Sequence, residues 1–123
     1  MRFACVLLLA AFAASAQPEY VRRELMIPVR DGVRLNTQIF TPKNPAGPLP
    51  FLMVRTPYGA PKDDEAMLRT LTGPMKEHAA EQYIFVYQDI RGKFLSEGEF
   101  VMQRPPRNPA DPKAVDEASD TYD

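Results

Sequence analysis

Arg55-Thr56-Pro57-Tyr58-Gly59 follows directly on the short apolar run 51–54. A run of that length reads as a strand buried on both faces, and the residues after it then lie at the carboxyl end of a parallel strand, where open parallel sheets bind their ligands. A tyrosine hydroxyl in that position can donate a hydrogen bond to the negative oxygen that develops in a tetrahedral intermediate. A preorganised contact of this kind contributes about 3 kcal/mol to acyl transfer. Taken alone, Pro-Tyr-Gly is more commonly just a turn carrying a packed aromatic.

A second polar stretch, Gln88-Asp89-Ile90-Arg91-Gly92-Lys93, follows the apolar run 83–87, with Ser96-Glu97-Gly98-Glu99-Phe100 behind it. Asp89 and Arg91 read as a structural ion pair that shapes this loop, and the glycines permit tight turns, so no general base is assigned here. The three serines are Ser15, Ser96 and Ser119, and none lies in a G-x-S-x-G elbow. The only histidine, His78, has no serine or cysteine at motif spacing and is expected to pack or face solvent. Asp116, Glu117, Asp120 and Asp123 put acids on successive turns of a terminal helix. Their expected role is a solvated face favoured by the helix dipole, with no metal bound. The chain has no phosphate loop, dinucleotide fingerprint or zinc spacing, and no cofactor is expected.

The elements that must position these residues follow from periodicity. Residues 20–29 and 33–41 are strand-like, with Val33, Leu35, Thr37 and Ile39 on one side, and Asp31-Gly32 between them predicts a two-residue hairpin turn. Residues 42–50 carry four prolines and one glycine and cannot sustain a ladder, so they form a loop. Between the buried strands 51–54 and 83–87 lie two helical pieces, 63–71 and 75–82, interrupted at Gly73-Pro74. Strand, helix and strand make a βαβ unit, which requires a parallel pair. Asp111-Pro112 reads as a cap and first turn, predicting a last helix that starts there with Val115, Ala118, Ser119 and Tyr122 on one face.

At the amino end, Arg2, the apolar run 3–14 and Ala14-Ser15-Ala16 form a signal-peptide pattern, which predicts export to the periplasm or beyond and a mature chain from Gln17. The run is too short to span a bilayer, so no membrane anchor is expected. Cleavage removes the only cysteine, Cys5, leaving no disulfide or thiol chemistry. It also removes one base, Arg2, from 15 and none of the 16 acids, leaving 14 against 16 and a formal charge of −2. The charges are mixed along the chain, so neither nucleic acid nor an anionic membrane is expected as a partner.

Asp31-Gly32-Val33-Arg34-Leu35, Arg55-Thr56-Pro57-Tyr58-Gly59 and Gln88-Asp89-Ile90-Arg91-Gly92 with Ser96-Glu97-Gly98-Glu99-Phe100, in this order and spacing, resemble the X-prolyl dipeptidyl peptidase and cocaine esterase superfamily. The Pro-rich segment 104–113 ahead of Asp116-Glu117-Ala118-Ser119-Asp120 is most similar to the α-amino-acid ester hydrolases and glutaryl-cephalosporin acylases. The resemblance implies an α/β-hydrolase fold whose amino-terminal part, hairpin then βαβ, is present here. It further implies a Ser-Asp-His hydrolase acting on a small-molecule ester or amide, with Tyr58 supplying one oxyanion donor and the backbone N–H after the serine supplying the other. The serine elbow, the acid and the histidine follow the last helix in this chain order. Residues 17–123 are therefore expected to stop before the nucleophile and to be inactive alone. The competing expectation is a complete small exported β-rich binding module, with the hairpin and its aromatics as the working surface.

Overall fold

The computed structural model describes residues 19–123; the signal-peptide pattern, with Cys5 and Ser15, lies outside the described residues. Strands β1 (Tyr20–Pro28) and β2 (Arg34–Pro42) form an antiparallel hairpin. Strand β3 (Phe51–Thr56), helices α1 (Asp64–Thr72) and α2 (Lys76–Ala80), and strand β4 (Ile84–Asp89) form the expected βαβ unit, with β3 and β4 parallel. Helix α3 (Glu117–Tyr122) follows. The sheet order is β1-β2-β4-β3, and β2 joins the two units by pairing antiparallel with β4.

The hairpin turn is longer than its Asp31-Gly32 signal suggests. Val29 donates to the Val33 carbonyl at 2.9 Å, so the loop is Arg30-Asp31-Gly32, with Gly32 left-handed at φ +87°. Three-residue loops close with just such a left-handed residue, and Asp31 steadies it by accepting from the Val33 N–H. The single apolar side expected for β2 is also incomplete. Leu35, Asn36, Thr37, Gln38 and Phe40 are all buried, because β2 is flanked by β1 and β4 and carries the core on the Phe40 side, while Asn36 and Thr37 bond with the Ser96 loop and β4. The reverse holds for β3, expected to be buried on two faces. It has one neighbour among the described residues and is only half-buried, with Phe51 exposed.

The main core lies between the sheet and α1. Met67 and Leu71 of α1 and Ala79 of α2 pack on Phe40, Phe85 and Tyr87, with Leu52 and Val54 of β3 at its edge. Phe40 meets Tyr87 edge-on at 6.3 Å, and the Tyr20 hydroxyl donates to the Tyr83 carbonyl at 3.0 Å. Asp63 caps α1 by accepting from the Ala66 N–H at 2.7 Å, and α1 ends at Gly73, where the interruption was expected.

The last helix starts later than Asp111-Pro112 predicts. Asp111 spends its side chain on a local turn, accepting from Lys113, whereas Asp116 and Ser119 form a reciprocal capping box. That box satisfies two of the amide donors left open at a helix start, so α3 nucleates at Glu117. Its expected face of Val115, Ala118, Ser119 and Tyr122 is not the buried one; Ser119 and Asp120 are buried, and Tyr122 faces solvent. No helix among the described residues is long and apolar enough to cross a membrane.

Candidate functional site

The carboxyl ends of β3 and β4 meet where Thr56 registers with Asp89. Two loops leave the sheet there, one carrying Tyr58 and the other Arg91 and Ser96. Tyr58 stands 86% exposed, so its side chain opens to solvent from the turn that carries it. That turn is fixed at several points. The Tyr58 N–H donates to Thr56 Oγ1 at 3.0 Å, and the Ala60 N–H donates to Asp89 Oδ1 at 2.7 Å. Between them Gly59 takes φ +98°, with the Phe94 ring 3.1 Å from where a β-carbon would sit. A side chain at position 59 would meet both a disfavoured backbone region and the ring. An open groove of about 680 Å³ runs past Tyr58, Gly59, Asn36, Asp89, Phe94 and Leu95.

The Asp89–Arg91 pair expected from sequence does not form. Asp89 is 2% exposed and accepts from two N–H groups, Ala60 and Asn36 Nδ2. Arg91, 4% exposed, reaches instead to Asp120 of α3 through two bonds of 2.9 and 2.7 Å and to Asp31 of the hairpin loop through bonds of 2.8 and 3.2 Å. Residues two apart in a strand share a face, but β4 ends at Asp89, and Arg91 lies beyond it on a turn that swings its side chain towards the hairpin. The hydrogen bonds that it donates to Asp120 and then to Asp31 raise the Arg91 guanidinium above its already high range. Partial burial pushes the Asp31 carboxyl up, but the Arg91 bond and the Val33 N–H outweigh it and hold it below the usual range.

The acids of α3 are likewise not a solvated face. Glu117 and its carbonyl bind Arg55 Nη1 at 3.0 and 2.9 Å, and Asp123 takes both the guanidinium and the backbone N–H of Arg30. Arg55 also donates to Gln88, which donates to Thr37, so the face of the sheet opposite α1 is tied to α3 through a polar chain. Asp123 is pulled down to about 2 by the Arg30 guanidinium and N–H. Asp116 reaches about 2 through the N–H groups of Arg107 and Ser119. Three arginines from the hairpin loop, β3 and the β4 loop therefore seat one short helix. The spacing of Glu117, Asp120 and Asp123 was visible in sequence, but their partners were not, being distant in the chain.

Both described serines have committed hydroxyls. Ser119 belongs to the capping box. Ser96 Oγ donates to the Asp89 carbonyl at 2.6 Å and accepts from the Asn36 N–H at 2.9 Å. The β2–β4 ladder ends at Thr37 opposite Gln88, and Asn36 opposite Asp89 would be its next rung. The Ser96 hydroxyl bridges that rung, a role for both Ser96 and Asn36 that no motif announced. His78 packs edge-on against Tyr83 at 5.1 Å, where α2 feeds the start of β4 and so at the other end of the sheet from Tyr58. Among the described residues no three His, Cys, Asp or Glu side chains are grouped to hold a metal ion.

The residues that build this end of the sheet, from Asp31 through Tyr58 and Arg91 to Asp120, all fall within one family match. The family described as X-Pro dipeptidyl-peptidase (S15 family) matches residues 31–123. The chain belongs to that family. A cocaine esterase from Rhodococcus sp. (strain MB1 Bresler) is 43% identical over 81 residues, which is 66% of this chain and 14% of that protein. A solved α-amino acid ester hydrolase is similar at 41% identity and a TM-score of 0.67, over 90% of this chain and 19% of its own. An aminopeptidase from the marine sediment archaeon Thaumarchaeota archaeon is similar at 36% identity and a TM-score of 0.70, over 98% of this chain and 20% of its own. This S15-family chain thus spans from a seventh to a fifth of the length of these relatives. Its fold is that of the amino-terminal part of an α/β-hydrolase, an antiparallel hairpin followed by a βαβ unit.

Proposed function

We propose that these residues are the amino-terminal portion of an exported serine hydrolase that cleaves an ester or amide by acyl transfer to water, with Tyr58 as one oxyanion donor. The observation that carries this reading is the exposed Tyr58 on a pinned turn at the carboxyl ends of the parallel β3–β4 pair. The pinned turn keeps the backbone of Tyr58 at this strand end, from which its hydroxyl can reach the substrate oxygen on which charge develops. The serine, acid and histidine belong, on this reading, to the part of the relatives that this chain does not span. With Ser96 and Ser119 committed to structural bonds, neither is a nucleophile. The small-molecule substrate is an α-amino-acid ester or a related acyl compound, in keeping with an ester hydrolase and an aminopeptidase among the relatives. Residues 1–16 serve as the export signal, and membership of a hydrolase-type family argues against a free-standing binding module.

The test is Tyr58→Phe in the hydrolase that carries these residues. The expected result is a kcat lower by about a hundredfold or more, with unchanged unfolding, as for the loss of one oxyanion donor. An unchanged kcat removes Tyr58 from the mechanism.

A further inference from the structure

We propose that Asp89 is a positioning residue for Tyr58, acting through the backbone of the Thr56–Ala60 turn; the inference rests on the reading of Tyr58 as an oxyanion donor. The side chain of Tyr58 is exposed, so packing among the described residues does not hold it, and the turn sets the point and direction from which it leaves the backbone. The turn is tied to the sheet at its start by the Ile90 N–H, which donates to the Thr56 carbonyl at 3.2 Å, and at its end by the buried Asp89 carboxylate, which accepts from the Ala60 N–H. A carboxylate accepting from an N–H makes a shorter and stronger bond than a neutral acceptor does.

Asp89 is in turn held from behind. Its second oxygen accepts from Asn36 Nδ2 at 2.9 Å, and the Ser96 hydroxyl locks the Asn36 N–H to the Asp89 carbonyl. Strand β2 and the Ser96 loop thus meet at Asp89, one on its side chain and the other on its carbonyl, and the other carboxylate oxygen reaches out to the turn. The Phe94 ring presses on Gly59 from the loop side, so the turn is gripped from both sides between its two hydrogen bonds. A shift of about 1 Å in a group that meets the reacting atoms is enough to cost a hundredfold in rate.

One detail separates positioning from mere burial of a charge. The Oδ1 of Asn36 is buried and has no hydrogen-bond partner among the described residues. In Asp89→Asn the new amide oxygen can still accept from Ala60, and its NH2 can donate to Asn36 once that amide turns over. The conservative variant therefore keeps the anchor, whereas Asp89→Ala abolishes it.

Two measurements test this. In the 123-residue chain, hydrogen exchange at the Ala60 amide is expected to be slow in the wild type and in Asp89→Asn, and fast in Asp89→Ala. An Ala60 amide that already exchanges freely in the wild type overturns the proposal. In the intact hydrolase, Asp89→Ala is expected to lower kcat about as far as Tyr58→Phe while leaving KM within a few-fold, Asp89→Asn to recover most of that loss, and the Asp89→Ala/Tyr58→Phe double variant to be no slower than Tyr58→Phe alone. Losses that multiply in the double variant show that Asp89 acts elsewhere, and overturn it. If Asp89→Ala does not fold, Asp89→Ser takes its place, being too short to reach both donors. If Tyr58→Phe leaves kcat unchanged, the oxyanion reading fails, while the exchange result still reports whether Asp89 anchors the turn.

Discussion

Replacing Arg91 with methionine strips the partner from a carboxylate that cannot reach water. The Asp120 side chain is 1% exposed and that of Arg91 is 4% exposed, so the pair is desolvated on both sides. Its second partner, Asp31, is 23% exposed and re-solvates when released. Removing one member of a buried pair costs about 3–5 kcal/mol, because the charge left behind has no compensation. Releasing Asp31 adds about 0.2–1 kcal/mol, as for a pair near the surface. Asp120 therefore dominates, and its loss is a large part of the about 5–15 kcal/mol that stabilises a domain. Urea unfolding followed by far-ultraviolet circular dichroism measures the difference. With a slope of about 2 kcal/mol per molar, the midpoint falls by about 1.5–2.5 M. A second substitution, Asp120→Leu on top of Arg91→Met, removes the stranded charge and is expected to return most of the loss. A destabilisation below about 1 kcal/mol, or no recovery in the double variant, refutes the argument that this pair seats α3.

Other perturbations follow from the same geometry. Asp116 and Asp123 are held at about 2, below their ordinary 3.8, so the stability they contribute is complete above about 3.8 and is lost as pH falls towards about 2. Nuclear magnetic resonance titration of their carboxyl carbons should show midpoints near the lower value, and midpoints near 4 would contradict the bonds to Arg30, Arg107 and Ser119. Gly59→Ala is expected to cost about 1–2 kcal/mol from the positive φ alone, with a further penalty where the methyl meets the Phe94 ring; an unchanged melting temperature would show that the turn is softer than described. Residues 17–123, purified alone, should give no saturable turnover of an activated ester above a Tyr58→Phe control, and measurable turnover would mean that a nucleophile lies among them.

Much of the backbone was legible in the sequence because its signals are local. The prolines of residues 42–50, the break at Gly73-Pro74 and the two short apolar runs each report on their own few residues, and the loop, the two helices and β3 and β4 lie close to where they were expected. The errors have local causes as well. Asp-Gly signals a turn without counting its residues, so the longer Arg30-Asp31-Gly32 loop was missed, and Asp111 offered a helix start that the stronger Asp116–Ser119 box took over. In the candidate site, the position of Tyr58 after β3 was readable because a strand end is a local feature.

By itself, the order of residues determined the hairpin, the βαβ unit and the placement of Tyr58 at a strand's carboxyl end, since each depends on spacing within a few turns of chain. Tertiary structure alone decided the company those residues keep. Arg91 finds Asp31 60 residues away and Asp120 29 residues away, Asp89 finds Ala60 29 residues away, and the Ser96 hydroxyl reaches Asn36 across 60. Nothing in sequence spacing distinguishes these pairings from others among the 15 basic and 16 acidic side chains. They arise because β2 and β4 become neighbours in the sheet, bringing the hairpin loop, the Tyr58 turn and α3 within hydrogen-bond reach of one strand end.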